Sequence, residues 1–365
     1  MIPSVSGDKQ AINNLDQFIG SELSWAGEGS RRDVLALGTE DGNLFCSGVL
    51  TQADIQRPIV VGNAGEAINS IAFNGNLLGV STRAEIVIIR DLPLINHGKF
   101  NHTIIDRGSH GIISMPSGNF IAPIGRDGLL FMEPREGGIV STTVELKGNP
   151  LYHYKASVIG ITPEGECVAS VLRQNGLSVV TRNCNSWSGS RWTFSNLDIV
   201  DITSIATQKF PFGLAVIGID NSIHFVRDIF TDRRPRTFRF SELSGKGYRV
   251  LCSNGHIFLL TSKCLYIFVD LASRFLNDSE LDSPITVEKF PCDAVDANMA
   301  FDRDLLLLLP DRLKIINVAQ FSDPQRRELS RKSKPQVNSE GSYLPSIDST
   351  TTFSLAPINF TTIAV

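Results

Sequence analysis

Val34-Leu35-Ala36-Leu37-Gly38-Thr39-Glu40-Asp41-Gly42-Asn43-Leu44-Phe45-Cys46-Ser47-Gly48-Val49 is the stretch on which the reading of this chain turns. Val34 to Gly38 is an apolar run, and Asn43 to Val49 is a second, more alternating one. Between them, Asp41-Gly42 accepts a positive φ at little cost and reverses the chain. The stretch therefore reads as two antiparallel strands joined by a tight turn.

The same pattern recurs along the sequence. Equivalent turns fall at Asp41-Gly42, Arg83-Ala84, Asp127-Gly128, Asn175-Gly176, Asp220-Asn221, Lys263-Cys264 and Asp311-Arg312, and the steps between them are 42, 44, 48, 45, 43 and 48 residues. The apolar runs that precede these turns are 34–38, 77–80, 120–124, 167–171, 214–218, 257–260 and 305–309. Continuous apolar character suits a middle strand packed on both faces. A short apolar run also fits a buried helix segment, but the flanking Gly and Asp, the β-branched residues and the even spacing select strands.

A further strand precedes each pair, as in Ile68-Asn69-Ser70-Ile71-Ala72-Phe73, and a fourth follows the first six at 58–61, 102–105, 142–146, 192–194, 237–240 and 285–288. Four strands per repeat of this length define an all-β fold: a seven-bladed β-propeller of four-stranded antiparallel blades with an irregular C-terminal extension. The propeller is placed at residues 1–321, a basic and polar linker at 322–350, and an apolar C-terminal segment, docked on the propeller, at 351–365. Residues Ala11 to Phe18 lie at the spacing of an outer strand for the last blade, with Phe353 to Val365 as the competitor for closing the ring. The linker reads as mobile, since it lacks the apolar content to offset the entropy of ordering.

Gly38-Thr39-Glu40-Asp41-Gly42, Gly125-Arg126-Asp127-Gly128 and Gly218-Ile219-Asp220-Asn221 resemble the middle of tryptophan–aspartate (WD) repeats. Three third strands end on the aspartate of that motif, at Asp91, Asp228 and Asp270, with Arg or Val where the tryptophan would stand. A Gly-His-like element occurs once, as Gly108-Ser109-His110. The resemblance implies the propeller. It also implies that the family's Asp–His relay is incomplete in most blades.

Composition narrows the function. The chain has 365 residues, is 42% hydrophobic and carries a net charge of −4, so no global basic field draws it to nucleic acid. Six cysteines are scattered without a CxxC pair, which reads as thiols in a reducing, cytoplasmic compartment. No apolar run is long enough to span a membrane, and Met1 to Asn14 has no signal-peptide character. No GxSxG, HExxH, phosphate-binding or dinucleotide-binding loop occurs, so no catalytic residue, metal or cofactor is assigned.

Five turns carry a basic residue: Arg83, Arg126, Arg173, Lys263 and Arg312. All such turns of a propeller open on one face, so these residues are expected to form a partial basic crown. The function expected is a non-catalytic protein–protein interaction scaffold, adaptor or regulatory subunit, whose partner carries an acidic or phosphorylated segment. Two alternatives stay open. One is a propeller enzyme acting on a small molecule at a channel mouth, with His110, His153 and Tyr154 near it. The other is contact with nucleic acid or anionic lipid through the crown.

Overall fold

The computed structural model describes residues 35–47, 59–90, 101–144, 152–162, 165–172, 176–183, 186–193, 198–232, 234–240, 243–277, 285–300, 304–310, 312–321, 350–354 and 360–364. Seven four-stranded antiparallel sheets surround one axis. The innermost strand of each sheet touches that of the next, and the contacts run round to close a ring.

The apolar runs became the second strands, counted from the axis: Leu35–Thr39, Leu77–Ser81, Phe120–Pro123, Gly165–Leu172, Leu214–Gly218, His256–Thr261 and Asp304–Leu308. Their burial explains their composition. Leu214 to Gly218 and His256 to Thr261 are buried along their whole length, because a neighbouring blade covers each face. Side chains interlock from blade to blade. Ala215, Ile217 and Phe225 of blade 5 pack with Ile257, Leu259 and Phe268 of blade 6, and Phe258, Leu260 and Ile267 of blade 6 pack with Leu305 and Leu307 of blade 7.

Ring closure differs from the expected N-terminal donor. The outer strand of blade 7 is Thr350–Ser354, paired antiparallel with Arg312–Asn317. The chain then supplies Phe360–Ala364 as the inner strand of blade 1, paired with Leu35–Thr39. The C-terminal segment thus takes the slot assigned to Ala11–Phe18. One segment thus completes both sheets to four strands and links the last blade to the first. Residues 11–18 and the linker residues 322–349 lie outside the described residues.

The inner strands of blades 4, 5 and 6 share an irregularity. Pairing shifts by one residue between His153 and Lys155, between Ile199 and Asp201, and between Gly247 and Arg249. Such a bulge re-aims the residue that follows it. In each of these blades that residue is charged.

Candidate functional site: a stapled turn face over a charged channel

The turn face is built by a repeated side-chain device. Thr39, Thr82 and Thr261 close the second strands of blades 1, 2 and 6 and are fully buried. The hydroxyl oxygen of each accepts a backbone N–H from the start of the third strand or the turn before it: Asn43 at 2.8 Å, Glu85 at 3.0 Å and Cys264 at 3.0 Å. Each threonine thereby satisfies a donor that the turn leaves unpaired.

The turns are also fastened to the connectors entering the next blade. Ser109 donates its N–H to Thr82 O at 2.8 Å, Ala64 to Gly42 O at 2.8 Å and Cys292 to Lys263 O at 3.0 Å. At Gly108 the approach is so close that a Cβ would lie 1.6 Å from the Arg83 carbonyl oxygen. Only glycine fits there. Gly42 and Asn221 meet the positive φ of their turns, at 88° and 61°.

Arg83, Arg126, Lys263 and Arg312 are exposed on this face; Arg173 lies outside the described residues. Arg83, Arg107 and Arg126 gather on blades 2 and 3, and Lys246, Lys263 and Arg312 on blades 6 and 7. Glu40 and Asp41 occupy the blade 1 turn, and Asp198 and Asp220 the blade 5 side. Asp127 pairs with Arg107 at 2.8 Å. Both partners are exposed, so the pair adds little stability. The turn aspartates are engaged locally: Asp41 accepts from Thr39 and Asn43, and Asp220 from Ser222. Neither bond is the relay of WD repeats, in keeping with the altered motifs.

Of the residues expected at the channel mouth, His110 stands there, its Nε2 2.7 Å from the Tyr152 hydroxyl. His153 does not. It is buried, with Nδ1 2.9 Å from Ser170 Oγ. The Tyr154 hydroxyl donates across to the Ile199 carbonyl and ties blade 4 to blade 5.

Burial lowers the His153 pKa from 6.5 to about 4. The folded protein keeps this ring neutral while the unfolded chain protonates it, so its contribution is full above pH 6.5 and falls away as pH drops towards 4. Between pH 7 and pH 5 the loss is expected to be about 2 kcal/mol. Urea unfolding across that interval should show the loss in the parent chain and a flatter profile in His153→Gln. Parallel profiles would refute this assignment.

The channel itself holds the arrangement that sequence reasoning missed. A cavity of about 720 Å³ runs among the inner strands of blades 2 to 7. Lys155, Asp201, Arg249 and Asp296 line it, one from each of blades 4, 5, 6 and 7, with alternating sign. Lys155 Nζ lies 3.2 Å from Asp201 Oδ1 and also donates to the Tyr248 carbonyl at 3.2 Å. Asp201 Oδ2 accepts the Val250 N–H at 2.8 Å. Arg249 Nε stands 3.7 Å from Asp296 Oδ1. The positions follow one another at 46, 48 and 47 residues. That interval, the period of the turns, was the available signal.

Among the described residues no group of three or more His, Cys, Asp or Glu is arranged to hold a metal ion, and no helix is long and apolar enough to cross a membrane.

No family model matches the chain, and no curated protein matches it. Solved structures do. A putative 6-phosphogluconolactonase from Bacteroides fragilis aligns with a TM-score of 0.60 at 9% identity, over 93% of this chain and 99% of that one. The β-propeller domain of Cps50 (Swd1) from Myceliophthora thermophila aligns with a TM-score of 0.55 at 16% identity, over 81% and 98%. The WD40 propeller domain of Doa1 aligns with a TM-score of 0.51 at 12% identity, over 77% and 90%. Identities this low speak to the fold alone. The chain is a seven-bladed β-propeller whose structural neighbours include WD40 propeller domains, without a recognisable set of WD motifs.

Proposed function

We propose that the chain is a non-catalytic protein–protein interaction platform that presents its turn face to a partner. The observation that carries this reading is the stapling of the turns: Thr39, Thr82 and Thr261 fix the backbone and leave charged side chains pointing outward. A surface held rigid before binding loses little entropy on contact. The likeness to WD40 propellers supports the reading.

The partner carries an acidic or phosphorylated segment, which docks on the Arg83–Arg126 sector or the Lys263–Arg312 sector. Glu40, Asp41 and Asp220 between these sectors set its register, because like charges disfavour misplacement. Cys46, Cys167, Cys264 and Cys292 are free thiols, three of them buried, which supports residence in a reducing compartment such as the cytoplasm.

Charge reversal tests the proposal. Arg83→Glu, Arg126→Glu and Lys263→Glu combined should reduce partner recovery in a pull-down roughly tenfold or more. Melting should barely change, since exposed turn charges contribute little to stability. Arg234→Glu with Arg236→Glu, placed around the outer strand of blade 5, is the control. Undiminished capture by the triple variant would remove these sectors from the binding surface. The charged channel favours a second activity, binding of a small molecule, alongside this one.

A further inference from the structure

We propose that the central channel is a binding site for a small hydrophilic oxyanion, a carboxylate or phosphate head group, held by the Arg249 guanidinium with Lys155 beside it. The four charges of the belt are not equivalent. Asp201 accepts from both Lys155 and Val250. Lys155 has two of its three donors engaged, by Asp201 and by the Tyr248 carbonyl.

Arg249 is different. Its Nε is buried and makes no hydrogen bond within the protein, and the facing Asp296 oxygen, at 3.7 Å, is beyond hydrogen-bond range. Burial opposes the charge on this guanidinium, but Asp296 and Asp201 outweigh it and hold the pKa above its ordinary value. The side chain is 32% exposed, towards the cavity. A guanidinium serving only to brace the fold would close on its carboxylate in the short, two-bonded geometry that this pair forms readily. The loose pair instead leaves the Nε without an acceptor in a side chain that lines the cavity, and the planar donor set of a guanidinium matches a carboxylate or phosphate edge.

The remaining lining sets the ligand class. Ser70, Ser157, Thr203 and Asn298 bring hydroxyl and amide groups to the same cavity. Its volume suits a small molecule. The belt carries as many carboxylates as cations, so Asp201 and Asp296 disfavour a ligand of high negative charge. A compact, hydroxyl-bearing acid with one anionic head fits these terms.

Titration calorimetry on the full chain, at constant ionic strength, with inorganic phosphate and separately with glycolate, tests the site. At least one should bind saturably at one site per chain. Response to phosphate alone identifies a phosphoryl head, and response to glycolate alone a carboxylate. Arg249→Gln should weaken binding about tenfold or more, since charge-assisted bonds are lost, and Arg249→Lys should fall between. Asp296→Asn should tighten binding several-fold by removing a competitor for Arg249. Arg135→Gln, at the exposed hairpin before the outer strand of blade 3, should leave it unchanged. Absence of saturable binding by both probes overturns the proposal, as does equal binding by Arg249→Gln and Arg135→Gln. If Arg249→Gln fails to fold on melting, Asp296→Asn decides: affinity that is unchanged or weaker rejects the site.

Discussion

Deletion of residues 350–365 should abolish the cooperative unfolding transition. The segment supplies the outer strand of blade 7 and the inner strand of blade 1, with five paired positions against Arg312–Asn317 and four against Leu35–Thr39. At the usual worth of a cross-strand pair, their loss amounts to about 5 kcal/mol, comparable with the whole net stability of many domains. The truncated chain would also expose two strand edges, which invite association. Calorimetry should show no two-state melt, and light scattering should show aggregates. A synthetic peptide of residues 350–365 should restore the transition. Ile363→Pro, which removes a ladder donor opposite Leu37, should have a milder effect of the same sign. A truncated monomer that melts at the parent temperature would show that the ring closes by other means.

The second large effect is expected from Asp201→Ala. The Asp201 side chain is 6% exposed and joins three blades, accepting from Lys155 of blade 4 and from the Val250 N–H of blade 6. Its removal leaves the Lys155 charge without its carboxylate and the Val250 donor without its acceptor. Lys155 is 31% exposed, which discounts the penalty towards the lower end for a broken buried pair, about 3 kcal/mol. Asp201→Asn keeps an acceptor and should cost less than half of that. Urea midpoints of the three proteins measure the order. A loss below about 0.5 kcal/mol for the alanine variant would mean that the belt does not brace the ring.

The architecture was legible because its most informative strands are buried on both faces. Leu305 to Leu308 reads as strand from its place in the repeat and is buried along its length. Outer strands carry a weaker signal. Ser186–Thr193 is a polar stretch, and the expected strand at 192–194 caught only its end. Ring closure was not legible: spacing pointed to Ala11–Phe18 and left the C-terminal segment as the competitor, yet the C-terminal strands close the ring. Sequence separation across the linker says nothing of which end meets the seam.

The site was half legible. Turn residues had to be exposed, so Arg83, Arg126, Lys263 and Arg312 could be placed on one face. The pairing of Asp127 with Arg107 depends on a connector that the repeat alignment does not superpose. The belt escaped notice because a single Lys or Asp in a strand looks like an ordinary solvent-facing residue. The pairing shifts before Lys155, Asp201 and Arg249 leave no mark in the sequence. Gly108-Ser109-His110 did mark a mouth residue, while His153 proved to be a core group bonded to Ser170.

Which face of the ring meets the partner can be measured directly. Hydrogen–deuterium exchange of the chain alone and in complex with a captured partner reads this segment by segment. Protection should appear at residues 40–43, 82–85, 125–128 and 262–264, and should be absent at 136–138, 206–212 and 230–232, which belong to connectors of the opposite face. Protection confined to that opposite face, with the turns exchanging as in the free chain, would contradict the account.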